Sequence, residues 1–95
     1  MLTSKDRAKL RGIASKEDTI LQIGKSGIGD TVVKQAADAL LKRELIKGRV
    51  LENAMLSARE AAEELAAATD AEVVQVIGTK FVLYKRNPEK PVIEW

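Results

Sequence analysis

The chain has no cysteine and no histidine in 95 residues. Without thiols it can form no disulfide and offers no thiol nucleophile. Without imidazole it lacks the commonest zinc ligand and the side chain best suited to proton transfer near neutral pH. Aromatic residues are scarce: Phe81, Tyr84 and Trp95 are the whole set. No apolar run approaches the ~20 residues of a membrane span, and the segment Met1 to Arg7 has no apolar core of the kind a signal peptide needs. These absences argue against secretion, membrane insertion, metal dependence, a bound cofactor and enzymatic catalysis. They predict a cytoplasmic binding protein.

A chain of this length that is 45% hydrophobic folds as one small domain, taken as residues 1–95 with 91–95 as a C-terminal tail. The net charge is only +2, but it is unevenly placed. Residues 1–49 hold 11 Lys or Arg against 6 Asp or Glu (+5), residues 50–79 hold 1 against 6 (−5), and residues 80–95 hold 4 against 2 (+2). If folding gathers the two basic regions on one side, that side becomes a footprint for a polyanion.

The periodicity supports the element order α-β-α-β-α-β-β. Thr3 can cap a helix over Ser4 to Lys16, with Asp6 in its first turn and Leu10, Ile13 and Ala14 as its apolar stripe. Lys5, Lys9 and Lys16 lie along one flank of that stripe, and Arg7 and Arg11 along the other. Thr19 to Ile23 reads as a strand. Asp30 or Thr31 can cap a second helix that shows Val33, Ala36, Ala37, Leu40 and Leu41 on one face and Lys34 outside. Leu45 to Leu51 alternates as a strand with Leu45, Lys47, Arg49 and Leu51 on one face. The two cations there fit either a binding surface or a solvated sheet edge.

Ser57 opens a third helix whose small-residue stripe Ala58, Ala61, Ala62, Leu65 and Ala66 suits close packing, with Glu60, Glu63 and Glu64 outside. Glu72 to Ile77 and Lys80 to Arg86 form a hairpin around Gly78-Thr79, a pair suited to a type II′ turn. Asn87 to Pro91 reads as a bend, and Trp95 can pack on the domain or stack on a base. The expected architecture is α/β, a four-stranded mixed sheet with helices packed on it.

Between the first strand and the second helix lies Ile23-Gly24-Lys25-Ser26-Gly27-Ile28-Gly29-Asp30. Gly24-Lys25-Ser26 is not a nucleotide-binding P-loop, because that motif needs a glycine where the chain has Thr19. Gly27 and Gly29 do not make a dinucleotide fingerprint either, since the third glycine position holds Val32. What survives is a Gly-x-x-Gly loop at a helix N-terminus, where backbone amides and Lys25 can meet the phosphates of a nucleic acid, alongside the plain tight turn that the same four residues would also make.

Four segments carry a wider resemblance: Leu2 to Lys5; Ile23 to Gly27; Ala39-Leu40 with Glu44 to Lys47; and Val73 to Tyr84. Together, and in this order, they resemble the CRM domain, and in particular its stand-alone bacterial form, the YhbY family. The resemblance implies an RNA-binding domain with a fold similar to the C-terminal domain of bacterial translation initiation factor three. It also implies association with large ribosomal subunit precursors, so ribosomal RNA is the expected partner, with ribosomal proteins as further partners. The loop residues Gly24, Lys25, Ser26, Gly27 and Ile28 are the expected RNA contacts, with Lys5, Lys9, Lys34, Lys47 and Arg49 as the surrounding basic surface. Ser26, Gly29 and Gly48 depart from the family pattern, which commonly has glycine, threonine and valine at those places. A rival reading uses the acidic third helix to dock basic ribosomal proteins.

Overall fold

Thr3 and Asp6 start the first helix by satisfying each other. The Thr3 hydroxyl accepts from the Asp6 amide at 3.1 Å, and the Asp6 carboxylate accepts from the Thr3 amide at 3.1 Å. The computed structural model describes residues 2–87 and places this helix, α1, over Ser4–Ala14. It stops two residues short of the expected Lys16, where the Ser15 hydroxyl turns back to donate to the Gly12 carbonyl at 2.7 Å. Strand β1, Leu21–Ile23, leads through the glycine loop into α2, Asp30–Arg43. Then follow β2, Leu45–Val50; α3, Ala58–Thr69; β3, Glu72–Ile77; and β4, Lys80–Tyr84. The seven elements stand in the expected order. β1, β2 and β4 are each shorter than the sequence suggested; the Ile20 amide still donates to the Lys47 carbonyl at 3.0 Å just before β1. The expected bend at Asn87 to Pro91, beyond Asn87 itself, and the alternatives for Trp95 lie outside the described residues.

The four strands form one sheet in the order β1-β2-β4-β3. β1 and β2 are parallel, as a β-α-β unit requires, and β4 runs antiparallel between β2 and β3. β2 is therefore an interior strand, and edge protection does not explain Lys47 and Arg49. The β3–β4 hairpin turns at Gly78, whose φ of +56° suits the first central position of the expected type II′ turn.

The helices divide between the two faces of the sheet. α2 and α3 seal one face over Leu21, Ile23, Ile46, Val50, Phe81 and Leu83, and Ala61, Ala62 and Leu65 of α3 are completely buried there. α1 covers the other face, where Leu10 and Ala14 pack with Leu45, Val74, Val82 and Tyr84. Val73 faces the α2/α3 core and Val74 the α1 cluster by ordinary alternation, and a register shift in β3 between Val73 and Gln75 leaves Val74 without a register partner and pairs Gln75 with Val82 of the same α1 cluster. The Val73 carbonyl accepts from Arg7 Nε at 3.4 Å.

Three details depart from expectation. Leu41 is 62% exposed, because α2 turns Val32, Val33, Ala36, Ala39 and Leu40 to the core and leaves Leu41 on the flank. Neither Asp30 nor Thr31 caps α2; Gly29 is the N-cap and, lacking a side chain, makes no capping hydrogen bond. Gly48 has a packing role: an added Cβ would lie 2.5 Å from Phe81 Cζ, so the ring lies in the space any side chain there would need. Phe81 is the direct cross-strand partner of Gly48, and this aromatic-on-glycine pairing covers the gap that glycine leaves in a strand.

Candidate nucleic-acid interface

β1 ends at Ile23, and the chain closes at once into a hydrogen-bonded turn in which the Gly27 amide donates to the Gly24 carbonyl at 3.0 Å. Lys25 and Ser26 form the tip of this turn and are exposed. Gly27 has φ +68°, the left-handed backbone that glycine adopts without strain, so the chain can turn from the loop tip into the approach to α2. The loop rests on the β2–α3 connection. Positions next to Gly24 are occupied by Leu51 and Asn53, and the space beside Gly27 by Leu56. Ile28 is half-buried and packs against the main core, so it anchors the loop from below.

The first helical hydrogen bond of α2 runs from the Val33 amide to the Gly29 carbonyl at 3.0 Å. α1 and α3 each begin with a full capping box, whereas α2 begins at a glycine. The first amides of α2 thus have no capping side chain and present their positive end beside the Lys25-Ser26 tip. Asp30, in the same turn, sets one negative charge against that field.

The basic residues fall into two groups. Lys25 and Lys34 are exposed on the loop and on the second turn of α2. Arg49, also exposed, is the parallel register partner of Gln22, two residues before Gly24. Lys47 shares the α1 face of the sheet with Arg49 but is half-buried, its Nζ donating to the Ala14 carbonyl at 3.5 Å. Among the described residues the salt bridge within 4 Å is Arg59 to Glu63, at 3.7 Å, so none of these cations is held by a carboxylate of a described residue. Lys5 and Lys9 are exposed on α1, on the opposite face of the sheet from α2. The first turn of α1 borders a cavity with Glu72 and Tyr84, at the end of the sheet remote from the loop, so Lys5 stands away from Lys25.

Two cations outside the expected set reach the loop end. Lys80 is the antiparallel register partner of Arg49. Arg11 lines the same open groove as Lys47 and Lys80. The hairpin turn marks Lys80 as the first residue of β4, but its neighbour across the sheet depends on the non-local β2–β4 pairing.

The acidic side chains of α3 have local uses. The Glu60 carboxylate accepts from the Ser57 amide at 3.0 Å in the capping box, which holds its pKa below the ordinary glutamate value. Glu63 pairs with Arg59 one turn away. Among the described residues there is no group of three or more acidic side chains that could hold a metal ion.

Comparison with known proteins agrees with this architecture. Residues 2–85 match the CRS1 / YhbY (CRM) domain family. The chain is 43% identical to the Bacillus subtilis "Probable RNA-binding protein YqeI" over 94 residues, 99% of this chain and 98% of that one. It is 38% identical to the "Probable RNA-binding protein MJ0652" of Methanocaldococcus jannaschii over 86 residues, 88% of this chain and 63% of that longer protein. The solution structure of SAV1595 from Staphylococcus aureus superposes with a TM-score of 0.81 at 47% identity, covering 99% of this chain and 98% of the other.

Proposed function

The chain belongs to the CRS1 / YhbY (CRM) domain family, and we propose that it is an RNA-binding protein, not an enzyme, whose Gly24 to Gly27 turn grips the RNA backbone. The observation that carries this reading is the exposed Lys25-Ser26 tip beside the uncapped N-terminus of α2. The Gly27 amide is taken up by the turn itself, so the amides after it, at the start of α2, donate to a phosphate, Lys25 neutralises it, and Lys34 and Arg49 extend the positive field. Asp30 opposes the field but is a single charge among these cations.

Phe81 and Tyr84 are buried, so the described surface offers no aromatic ring for bases to stack on. Contacts of this kind follow backbone shape, so sequence preference is modest and salt dependence strong. The RNA we propose is structured precursor RNA of the large ribosomal subunit, bound in the cytoplasm during assembly, with ribosomal proteins as neighbours in that particle. Lys5 and Lys9 would then meet a more distant part of the same RNA.

The test is fluorescence anisotropy of structured large-subunit RNA fragments over a salt series, with a Lys25→Asp/Ser26→Asp variant whose fold is checked by circular dichroism. The folded variant is expected to lose affinity, with a salt slope shallower by about 1 for each phosphate it no longer holds. Wild-type binding by that variant would reduce the loop to a turn.

A further inference from the structure

On the face of the sheet that carries α1, one row of side chains runs across all four strands. It comprises Gln22 on β1, Arg49 on β2, Lys80 on β4 and Ile77 on β3, fixed by the register pairs Gln22 with Arg49, Arg49 with Lys80, and Lys80 with Ile77. At strand spacings of about 4.8 Å the row spans about 14 Å. α1 does not reach over it. The helix ends at Ala14, and between its last turn and the hairpin lies an open groove of about 440 Å³. The described residues lining it include Arg11, Lys47 and Lys80 but no carboxylate. Its floor is largely apolar, and Ile77 lines it with 62% of its surface exposed.

Two local features work against an anion here. The C-terminal end of α1 carries the negative pole of the helix, and exposed Glu17, whose amide donates to the Ala14 carbonyl at 3.0 Å, follows just after the groove residue Ser15. Lys47 offsets the helix pole directly, because its Nζ lies on the Ala14 carbonyl. Arg11, Arg49 and Lys80 are exposed and have no acidic partner among the described residues, so the groove and the row beside it are positive overall.

We propose that this groove is a second RNA subsite, which takes a single-stranded segment continuous with the RNA held at the glycine loop. Phosphates lie along Arg49, Lys80 and Arg11, and a ribose or base edge rests on Ile77. Gln22 joins the two subsites, since it ends the row and stands two residues before Gly24. This inference rests on the RNA-binding reading but concerns a different surface, reached from the other face of the sheet. Charge complementarity selects the occupant: a strip with cations at strand spacing, an apolar floor and no carboxylate suits a flexible polyanion that also carries flat apolar groups.

The test compares three proteins for binding of a single-stranded oligouridylate across a salt series: wild type, an Arg11→Glu/Lys80→Glu variant and the Lys25→Asp/Ser26→Asp variant. Separately, the amide spectrum of the unmodified protein is followed by NMR as the oligouridylate is added. The groove variant is expected to lose at least tenfold in affinity and about 1.4 in salt slope, the share of two single-strand phosphates. The amides of Gly12, Gln75 and Ile77 should shift on titration, and a poly-glutamate peptide should not shift them.

Wild-type affinity and slope in the groove variant, with loss in the loop variant, overturns the groove and leaves the loop reading intact. Loss in the groove variant alone keeps the groove and overturns its continuity with the loop, whose own test is the structured RNA. No change in either overturns the groove. Equal shifts with poly-glutamate show a surface for any acidic chain and overturn the assignment to RNA. If the groove variant does not fold, the NMR titration decides: shifts confined to residues 24–34 overturn the proposal.

Discussion

The two faces of the sheet are built from similar strands yet finished differently. On one face two helices meet, and Ala61 and Ala62 of α3, both completely buried, let the helix backbone approach the strands closely. On the other face a single helix of 11 residues seals only the half around Leu10, Val82 and Tyr84. The uncovered half carries Lys47, Arg49, Lys80 and Ile77. A small domain that used both faces for stability would have no sheet surface left for a partner; here one face holds the fold and part of the other is open.

Truncation at the centre of each region should separate them most clearly. Leu65→Ala removes a completely buried side chain from the sealed face and is expected to cost about 2–5 kcal/mol in denaturant unfolding. Ile77→Ala, on the open face, should change stability by no more than about 0.5 kcal/mol while weakening oligouridylate binding. Similar stability losses at the two positions would mean that the open face is also structural, and the comparison would fail.

Gly48 offers a test within the sheet, on the sealed side. Phe81 is 1% exposed and cannot swing away from a new methyl group at Gly48 without displacing its neighbours. Gly48→Ala is therefore expected to cost about 1–3 kcal/mol. Adding Phe81→Leu should recover part of that loss, because the clash disappears with the ring. A double variant no better than the sum of its parts would show that the ring and the glycine are not coupled.

What could be read from the sequence was local. Thr3 and Ser57 marked the starts of α1 and α3, and Gly78-Thr79 the hairpin turn; each depends on residues within one turn of chain, although the reciprocal bonds from Asp6 and Glu60 emerge only in the structure. The glycine loop was legible for the same reason. What could not be read depends on pairings between distant strands. The adjacency of Arg49 and Lys80, the Phe81 ring over Gly48 and the shift at Val73 all follow from β4 inserting between β2 and β3.

Leu41 misled because helical spacing alone does not show how far round a helix the packed face extends. Glu44 was visible only as part of a family motif. It is a completely buried residue with φ +63° at the end of α2. Its carbonyl accepts from the Lys85 amide at 2.9 Å and its carboxylate from the Asn87 amide at 2.6 Å, so it ties α2 to the chain leaving β4.

The smallest expected effect concerns the helix starts, where α1 and α3 differ from α2. Asp6 and Glu60 have pKa values held below the ordinary carboxylate values, chiefly by the amides of Thr3 and Ser57 that donate to them. Such a group stabilises the fold fully above its unfolded pKa, and that contribution is lost as the pH falls through the folded one, so stability should decline on acidification below about pH 4.5. Ser57→Ala should cost about 1 kcal/mol at neutral pH, measured by denaturant unfolding, but should flatten the acid limb only in part, because the backbone amide that donates to Glu60 remains. Gly29→Ser should instead add only a few tenths of a kcal/mol, since a hydroxyl at the start of α2 gains a cap but gives up the small advantage of glycine at that position. In return that hydroxyl would occupy an amide now facing the loop, and RNA affinity should fall slightly. A Gly29→Ser protein that binds RNA as wild type does would show that the bare start of α2 plays no part in holding phosphate.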